Sequence, residues 1–351
     1  MQVTKPKSYK APLFTALLLV VLFSLTAQVV HAASSAVILM YHRFGESEYP
    51  STNIRLDQFD AHIAELTSGP YVVLPVSEIV NKLKRGESLP ERTVGITIDD
   101  AYRSTYTEAW PRLKSAGLPF TVFTSTAHVD HGASRHLSWQ QIREMRDSGV
   151  AFGHHSVSHL HMPRATPDQV QKEISIANDR FKKELGAPPQ LFAYPYGETS
   201  LATKNAIIDA GFDAAFGQHS GVADASGDMH YLPRFSLNEK FGDEDRFRLI
   251  VNALSLPAHD FTPTDPLIGE NNPPAIGFTI NEDIDGLQKS LEQMSCFLSH
   301  EGQRAEVSIL GPRVEIRARE PLPVGRIRLN CTAPARDGRW RWFGHQFVRT
   351  Q

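Results

Sequence analysis

Two short polar motifs contain the residue types needed to hold a divalent metal ion beside a general base. Asp99 and Asp100 are adjacent and end the apolar run Val94–Ile98. Two neighbouring carboxylates repel each other unless a cation or a strong hydrogen-bond donor lies beside them. His155 and His159 are four residues apart, a spacing that puts both rings on one face of a helical turn. We expect both histidines and one aspartate to bind a metal ion, with a coordination position left open for water or substrate. A solvated polar loop would contain the same residue types.

Three further candidates could face the same site. His42 comes after a short run and could act as a general acid or base, or as a hydrogen-bonded histidine at a strand end. Arg234 could lower the pKa of a neighbouring carboxyl, although a surface arginine would look the same in sequence. Pro195 fixes a bend and Gly197 permits a close approach, so the backbone N–H of Tyr196 between them could point at a developing oxyanion.

The chain that must position these residues alternates short apolar runs with amphipathic stretches from residue 36 to about residue 251. Such alternation predicts parallel strands joined by helices, and six or more units can close into a barrel with its site at the carboxyl ends of the strands. The predicted strands are Val37–Tyr41, Val94–Ile98, Phe120–Thr124, Val150–Gly153, Leu191–Tyr194 and Ala214–Gly217. The predicted helices are Leu56–Leu66, Val76–Lys84, Glu108–Ala116, Trp139–Asp147, Pro167–Leu185 and Leu201–Ala210.

The C-terminal part has a different pattern. Residues 259–274 are rich in Pro, Asp and Asn and predict a linker between a domain at 33–258 and a smaller one at 275–351. Five alternating runs predict a small all-β, sandwich-like domain, and they are Ala275–Ile280, Ala305–Leu310, Arg313–Arg319, Gly325–Asn330 and Trp340–Phe347. Cys296 and Cys331 predict one disulfide in an exported protein, with two buried thiols as the alternative.

An aromatic pair in the last predicted strand allows two interpretations. Trp340 and Trp342 alternate, so both side chains lie on one side of the strand. They could form a sugar-stacking face or pack in the core, and we favour the core.

Composition and the N-terminus limit the class of protein. The 351 residues are 41% hydrophobic and 21% charged, typical of a soluble globular protein. Lys5, Lys7 and Lys10 precede an apolar stretch at 13–26, which predicts a cleaved signal peptide at residues 1–32 and export to the periplasm or beyond. An uncleaved anchor is the alternative, and no later stretch is long enough to span a bilayer. The net charge of −3, more negative without the three lysines, argues against nucleic acid as a partner.

Together these motifs resemble those of the polysaccharide deacetylases of carbohydrate esterase family 4, which have a nodulation-type deacetylase domain. The family motif Thr-Phe-Asp-Asp-Gly resembles residues 97–101, His-Ser/Thr-x-x-His resembles 155–159, and Arg-x-Pro-Tyr resembles 193–196. The resemblance extends from residue 36 to about residue 240. It is closest to the exported poly-N-acetylglucosamine deacetylases, in which a sequence like 40–42 opens the domain.

The resemblance implies a fold and a set of roles. The fold is a distorted (β/α) barrel of about seven units, and the partner is an N-acetylated polysaccharide such as an exopolysaccharide, chitin or peptidoglycan. The cofactor is one divalent ion, for which the ligands suit Zn²⁺ and would also accept Co²⁺, Ni²⁺ or Fe²⁺. The implied roles are a base at Asp99, metal ligands at Asp100, His155 and His159, a general acid at His42 and an oxyanion donor at the Tyr196 N–H.

Two departures from the family pattern keep a second function open. Ala101 replaces the motif glycine, and Ala193 replaces the arginine that holds the base, a role for which Arg234 is our candidate. We predict that the Arg234 guanidinium contacts Asp99, directly or through one water molecule. A sugar-binding protein that has lost catalysis is the alternative suggested by these departures. A glycosidase is disfavoured, because its two carboxylates are usually well separated in space.

Overall fold

The structure is a computed structural model that describes residues 1–5, 32–132, 134–281 and 287–351. Two compact units are distinguished, Met1–Val30 and His31–Gln351, and every element below belongs to the second. The predicted signal peptide at 1–32 lies almost wholly outside the described residues. Within the described ranges, no helix is long and apolar enough to span a membrane.

Seven parallel strands form the barrel-like part of the chain. Six of them lie side by side in chain order: β1 (Ser35–Tyr41), β2 (Thr93–Asp99), β3 (Thr121–Thr124), β4 (Ala151–His154), β5 (Leu191–Ala193) and β6 (Ala214–Phe216). The seventh, β7 (Phe235–Ser236), pairs with β1. Leu232, just before β7, bridges to Phe216 of β6, so the pairing returns to its start. The carboxyl ends of all seven strands therefore surround one mouth.

Helices connect and cover these strands, as the alternating pattern predicts. They are α1 (Leu56–Ser68), α2 (Val76–Lys84), α3 (Trp110–Ser115), α4 (Thr126–Asp130), α5 (Trp139–Asp147), α6 (Pro167–Leu185), α7 (Leu201–Asp209) and α8 (Glu244–Val251). Helix α6 illustrates the local signals: Thr166 and Gln169 form a capping box, and Gly186 ends the helix at φ 87°. Its buried residues recur every three or four positions and are Val170, Ile174, Ala177 and Phe181.

Short elements complete this part of the chain. Four two-residue strands are Arg43–Phe44, Asn53–Ile54, Val72–Val73 and Ala223–Asp224, and Ala32–Ala33 pairs with Leu89–Pro90. A π-helical segment, Thr105–Ala109, precedes α3. Three-residue 3₁₀ turns lie at Met162–Arg164, Pro195–Gly197, Glu239–Phe241 and Arg336–Gly338.

The C-terminal residues form two four-stranded sheets. Their strands are β8 (Leu254–Ser255), β9 (Ala258–Thr262), β10 (Ile276–Ile280), β11 (Ser295–Leu298), β12 (Glu306–Leu310), β13 (Arg313–Arg317), β14 (Gly325–Pro334) and β15 (Trp340–Arg349), with a short helix α9 (Leu287–Leu291). The orders are β8-β15-β14-β11 and β9-β10-β13-β12. Buried residues of both sheets form one apolar cluster. Cys296 and Cys331 face each other across β11 and β14 and form the predicted disulfide.

Two details differ from the sequence predictions. The predicted linker at 259–274 begins with strand β9, an edge strand that pairs with β10. Composition hides this strand, because an edge strand tolerates polar residues and a following proline. The domain boundaries themselves remain a prediction. Of the two tryptophans predicted to pack in the core, Trp342 packs edge-on against Phe235, with ring centroids 5.1 Å apart. Trp340 is 39% exposed, so it does not pack in the core.

Candidate active site

Three side chains converge at the mouth of the barrel in an arrangement suited to a cation. Asp100 follows β2, and its Oδ1 lies 3.3 Å from His155 Nε2 and 3.2 Å from His159 Nε2. One ligand atom from each residue lies within 4.8 Å of the others. Asp100 Oδ1 and His155 Nε2 are buried and make no regular hydrogen bond among the described residues. Buried polar atoms are costly without a partner, and a shared divalent ion would satisfy both, so these residues fit a metal.

The second nitrogen of His155 is fixed by the backbone. Its Nδ1 lies 2.6 Å from the carbonyl oxygen of Ala193, which can only accept, so Nδ1 carries the proton and donates. Nε2 is then left with a lone pair that faces Asp100, as in metal-binding histidines held by an outer hydrogen bond. Burial opposes charge on both groups. Their mutual attraction nevertheless raises the pKa of His155 and lowers the pKa of Asp100 well below its ordinary value.

The loop that presents the two metal-binding histidines is not helical, so the predicted helical turn is wrong. Ser156 and His159 both adopt positive φ, 65° and 59°. Glu173 of α6 holds the loop by accepting hydrogen bonds of 2.8 Å from the N–H groups of Val157 and Ser158. Sharp bends tied to a carboxylate, rather than helical spacing, bring the two rings together.

The predicted contact between Arg234 and Asp99 is present. Arg234 Nη1 donates to Asp99 Oδ1 at 2.7 Å, and Nη2 donates to Oδ2 at 2.8 Å. Both side chains are 0% exposed. The guanidinium also donates to Gly217 O at 2.9 Å and to Thr97 Oγ1 at 3.1 Å. A two-pronged guanidinium–carboxylate pair of this kind fixes the carboxylate and leaves each of its oxygens further lone pairs.

His42 lies beside this ion pair. Its Nε2 is 4.0 Å from Asp99 Oδ2, so both can contact one small group at the mouth of the barrel. Burial acts to raise the pKa of Asp99, but Arg234 and His155 reverse this, and the pKa is lowered. Burial lowers the pKa of His42, and the nearby carboxylates Asp100 and Asp99 only partly offset it.

The bend after β5 exposes one backbone donor. Tyr196 and Gly197 have positive φ, 60° and 66°. A Cβ on Gly197 would lie 2.5 Å from the backbone nitrogen of Gln218, so only glycine fits there. The Tyr196 ring stacks on His161, with centroids 3.9 Å apart and planes 5° apart. Among the described residues the Tyr196 N–H has no hydrogen-bond acceptor, which leaves it free for a ligand.

The turn after the aspartate pair survives the replacement of glycine. Asp100 and Ala101 have φ of 70° and 51°, the left-handed conformation that glycine adopts easily. For alanine this conformation costs on the order of 1–2 kcal/mol. The surrounding structure therefore imposes the turn, and Ala101 does not divert Asp100 from the two histidines.

Sequence reasoning missed several residues of the site. Thr97 and Gly217 bind the arginine, and Glu173 binds the histidine loop. Of these three residues, only Thr97 lies in a motif that the sequence analysis identified. The roles of Glu173, a glutamate on a helix, and of the Gly217 carbonyl, a backbone group, cannot be inferred from residue type. His154, from the same histidine-rich segment, is buried against Phe192, and burial lowers its pKa to about 3. Its Nδ1 accepts a hydrogen bond of 3.1 Å from the Ser156 N–H, so it supports the histidine loop from the core.

Comparison with known proteins gives consistent matches. The model of the polysaccharide deacetylase family matches residues 86–215. The chain is 28% identical over 197 residues to YxkH of Bacillus subtilis, across 56% of this chain and 69% of that protein. It is 25% identical over 232 residues to a poly-β-1,6-N-acetyl-D-glucosamine N-deacetylase of Staphylococcus aureus, across 59% of this chain and 80% of the relative. The deacetylase PplD of Streptococcus pyogenes shares the fold, with a TM-score of 0.58 and 23% identity over 62% of this chain and 98% of that one.

Proposed function

We propose that this chain is a polysaccharide deacetylase that hydrolyses N-acetyl groups of an N-acetylglucosamine polymer with a bound divalent metal ion, as its match to the family model and its relatives supports. The observation that carries the proposal is the pairing of an Asp-His-His cluster with a second carboxylate held by a buried arginine. The Staphylococcus aureus relative, named for a poly-β-1,6-linked N-acetylglucosamine polymer, supports that substrate class.

The proposed reaction uses four groups of the chain besides the ligands Asp100, His155 and His159. Bound there, Zn²⁺ or a similar ion would polarise the acetyl carbonyl and acidify a water molecule. Asp99 accepts the proton of the attacking water through a lone pair that Arg234 does not use. The N–H of Tyr196 donates to the oxyanion. His42 gives a proton to the departing amine from its protonated form, which is the minor form at neutral pH because burial lowers its pKa. The products are acetate and a free amino sugar.

The alternative of a sugar-binding protein without catalysis rested on the two alanines. Arg234, the residue directly before β7, donates two hydrogen bonds to Asp99. It therefore supplies the positive charge that the family motif places at the position of Ala193. Ala101 has a positive φ, the conformation that a glycine adopts easily. Both observations favour an enzyme over a binding module. We further propose that the protein is exported, in keeping with its N-terminal residues and its disulfide.

The test is acetate release from a panel of N-acetylated glycans: a β-1,6-linked N-acetylglucosamine polymer, chitin oligosaccharides and peptidoglycan. We expect release from at least one, without change in chain length, loss on chelation and recovery with Zn²⁺ or Co²⁺. Asp99→Asn should abolish turnover while keeping one bound metal ion per chain. Asp100→Asn should weaken metal binding itself.

The matched control is Asp57→Asn, an exposed aspartate paired with Arg55 away from the site, which should leave both measurements unchanged. Glycan binding without acetate release would favour the binding-protein alternative. Loss of the metal in Asp99→Asn would mean that the roles of the two aspartates are reversed.

A further inference from the structure

We propose that the C-terminal sheets complete the active site: Gln346 of β15 is a positioning residue that holds the Tyr196 bend in its oxyanion-binding conformation. The inference rests on the proposed function, because it concerns the donor assigned to that reaction. It gives the two C-terminal sheets a role in catalysis that their sequence does not reveal. Gln346 itself would touch neither substrate nor metal.

The contact is direct, and the Gln346 side chain that makes it is buried. Gln346 Nε2 donates to the carbonyl oxygens of Gly197, at 2.8 Å, and of Tyr196, at 3.2 Å. The Gln346 side chain is 0% exposed. Two carbonyls can only accept, so the amide nitrogen must face them, and its two hydrogens match the two acceptors. A single side chain from the second sheet system thus fixes two successive peptide groups.

Other groups hold the same bend. Tyr231 Oη lies 2.9 Å from Gly197 O and 3.2 Å from Gln346 O, so its one proton serves either carbonyl. Arg326 of β14 reaches Tyr196 O with Nη1 at 3.5 Å, and its guanidinium lies 5.6 Å from the centre of the tyrosine ring. The C-terminal sheets therefore contact the bend through two neighbouring strands.

The bend needs external support because its conformation is unfavourable. Tyr196 is a non-glycine residue at φ 60°, in the left-handed region that residues other than glycine rarely adopt. Without Gln346, the Gly197 carbonyl would keep only the shared proton of Tyr231, and the Tyr196 carbonyl only the 3.5 Å contact with Arg326. Relaxation of Tyr196 to negative φ would remove both penalties, and it would turn the free N–H away from the substrate. The second sheet system is what makes the productive conformation the stable one.

The experiment compares steady-state kinetics of acetate release by the full-length, metal-loaded protein and Gln346→Met, which keeps the size of the side chain but removes both donors. We expect kcat to fall roughly 10–100-fold, less than the loss of an oxyanion donor outright, with KM changed by less than about threefold. Metal content should be unchanged. Gln346→Glu, which turns a carboxylate towards the two carbonyls, should be at least as impaired.

The control is Asn272→Ala. Asn272 also holds backbone groups of the C-terminal part, since its side chain joins its own loop to the O and N–H of Leu322 with bonds of 3.0 and 2.7 Å, but it lies outside the site. It should lower stability and leave kcat unchanged, which separates positioning from general damage. Wild-type kcat in folded Gln346→Met would overturn the inference while leaving the proposed function intact. An inactive wild type would instead refute the proposed function.

Arg326→Ala is the second variant should Gln346→Met not fold, since the Arg326 side chain is 40% exposed and its truncation is tolerable. A lowered kcat at constant KM would support the inference. An unchanged kcat in this variant would overturn it.

Discussion

The buried ion pair between Arg234 and Asp99 sets a quantitative expectation for Arg234→Ala. Both side chains are 0% exposed and share two hydrogen bonds of 2.7 and 2.8 Å. Removing one member of such a pair leaves an uncompensated buried charge and costs about 3–5 kcal/mol. Without Arg234, fewer charges oppose the effect of burial, so the pKa of Asp99 should rise.

The pH–rate profile measures the change in the pKa of Asp99 directly. In the wild type the pKa of Asp99 is lowered, so its carboxylate is ionised throughout the neutral range. In Arg234→Ala the pKa of Asp99 rises, and the acid limb of kcat/KM should move to higher pH. Arg234→Lys should recover part of the loss, because it restores the charge but not the two-pronged geometry.

Stability should change with pH in a defined direction. A lowered pKa contributes stability above the ordinary pKa of Asp99, and this contribution is lost as the pH falls through the lowered value. Arg234→Ala should show the opposite trend, because its ionised and buried Asp99 destabilises the fold at neutral pH and is neutralised by protonation as the pH falls. Urea denaturation should therefore show the largest deficit of Arg234→Ala near pH 7 and a smaller one near pH 5.

The control for this prediction is Arg85→Ala, an arginine in an exposed pair with Glu87. It should leave the pH–rate profile unchanged, since exposed pairs are screened by solvent. A wild-type acid limb in folded Arg234→Ala would refute the reasoning. Asp99 would then be held ionised by something other than its arginine partner.

Three further predictions concern the rest of the chain. Ala101→Gly should leave kcat within about twofold, because the turn already has the glycine conformation; a tenfold increase would show that Ala101 impairs catalysis. His62 is buried, and burial lowers its pKa to about 4, so its neutral form contributes about 3 kcal/mol at pH 7 that is lost as the pH falls from 6.5 to 4. Urea denaturation of wild type and His62→Leu should show their stabilities converging over that range, and a constant difference would contradict this. Replacing Cys296 and Cys331 by serine should cost about 3–4 kcal/mol, given the 35-residue separation; equal denaturation midpoints would contradict the estimate.

Much of the barrel could be predicted from sequence because its strands are buried on both faces and its helices are amphipathic. Helices such as Trp139–Asp147 and Pro167–Leu185 were predicted at their observed bounds. Strand β7 was not among the predicted strands, because Phe235–Ser236 is too short to show a period. The strand is defined by its pairing with β1, a contact between distant parts of the sequence that a local pattern does not reveal.

The residues of the candidate site could be predicted where reactive side chains directly follow a predicted strand. Arg234 could be proposed because a buried carboxylate needs a cation and the family arginine is missing. The path of the histidine loop could not be predicted, because two histidines four residues apart occur both in helices and in bent loops. Gln346 could not be found either, since it lies about 150 positions from its acceptors and its strand looks like any other.

The position of Arg234 beside β7 has a consequence for how the barrel assembles. Strand β7 pairs with β1, and nearly the whole barrel sequence lies between them. Until that long-range pairing forms, Asp99 has no guanidinium partner. A partly assembled barrel that buried Asp99 as an ion would be about 3–5 kcal/mol less favourable than the closed one. We therefore expect closure of the barrel and neutralisation of Asp99 to occur as one cooperative event, with few partly folded intermediates.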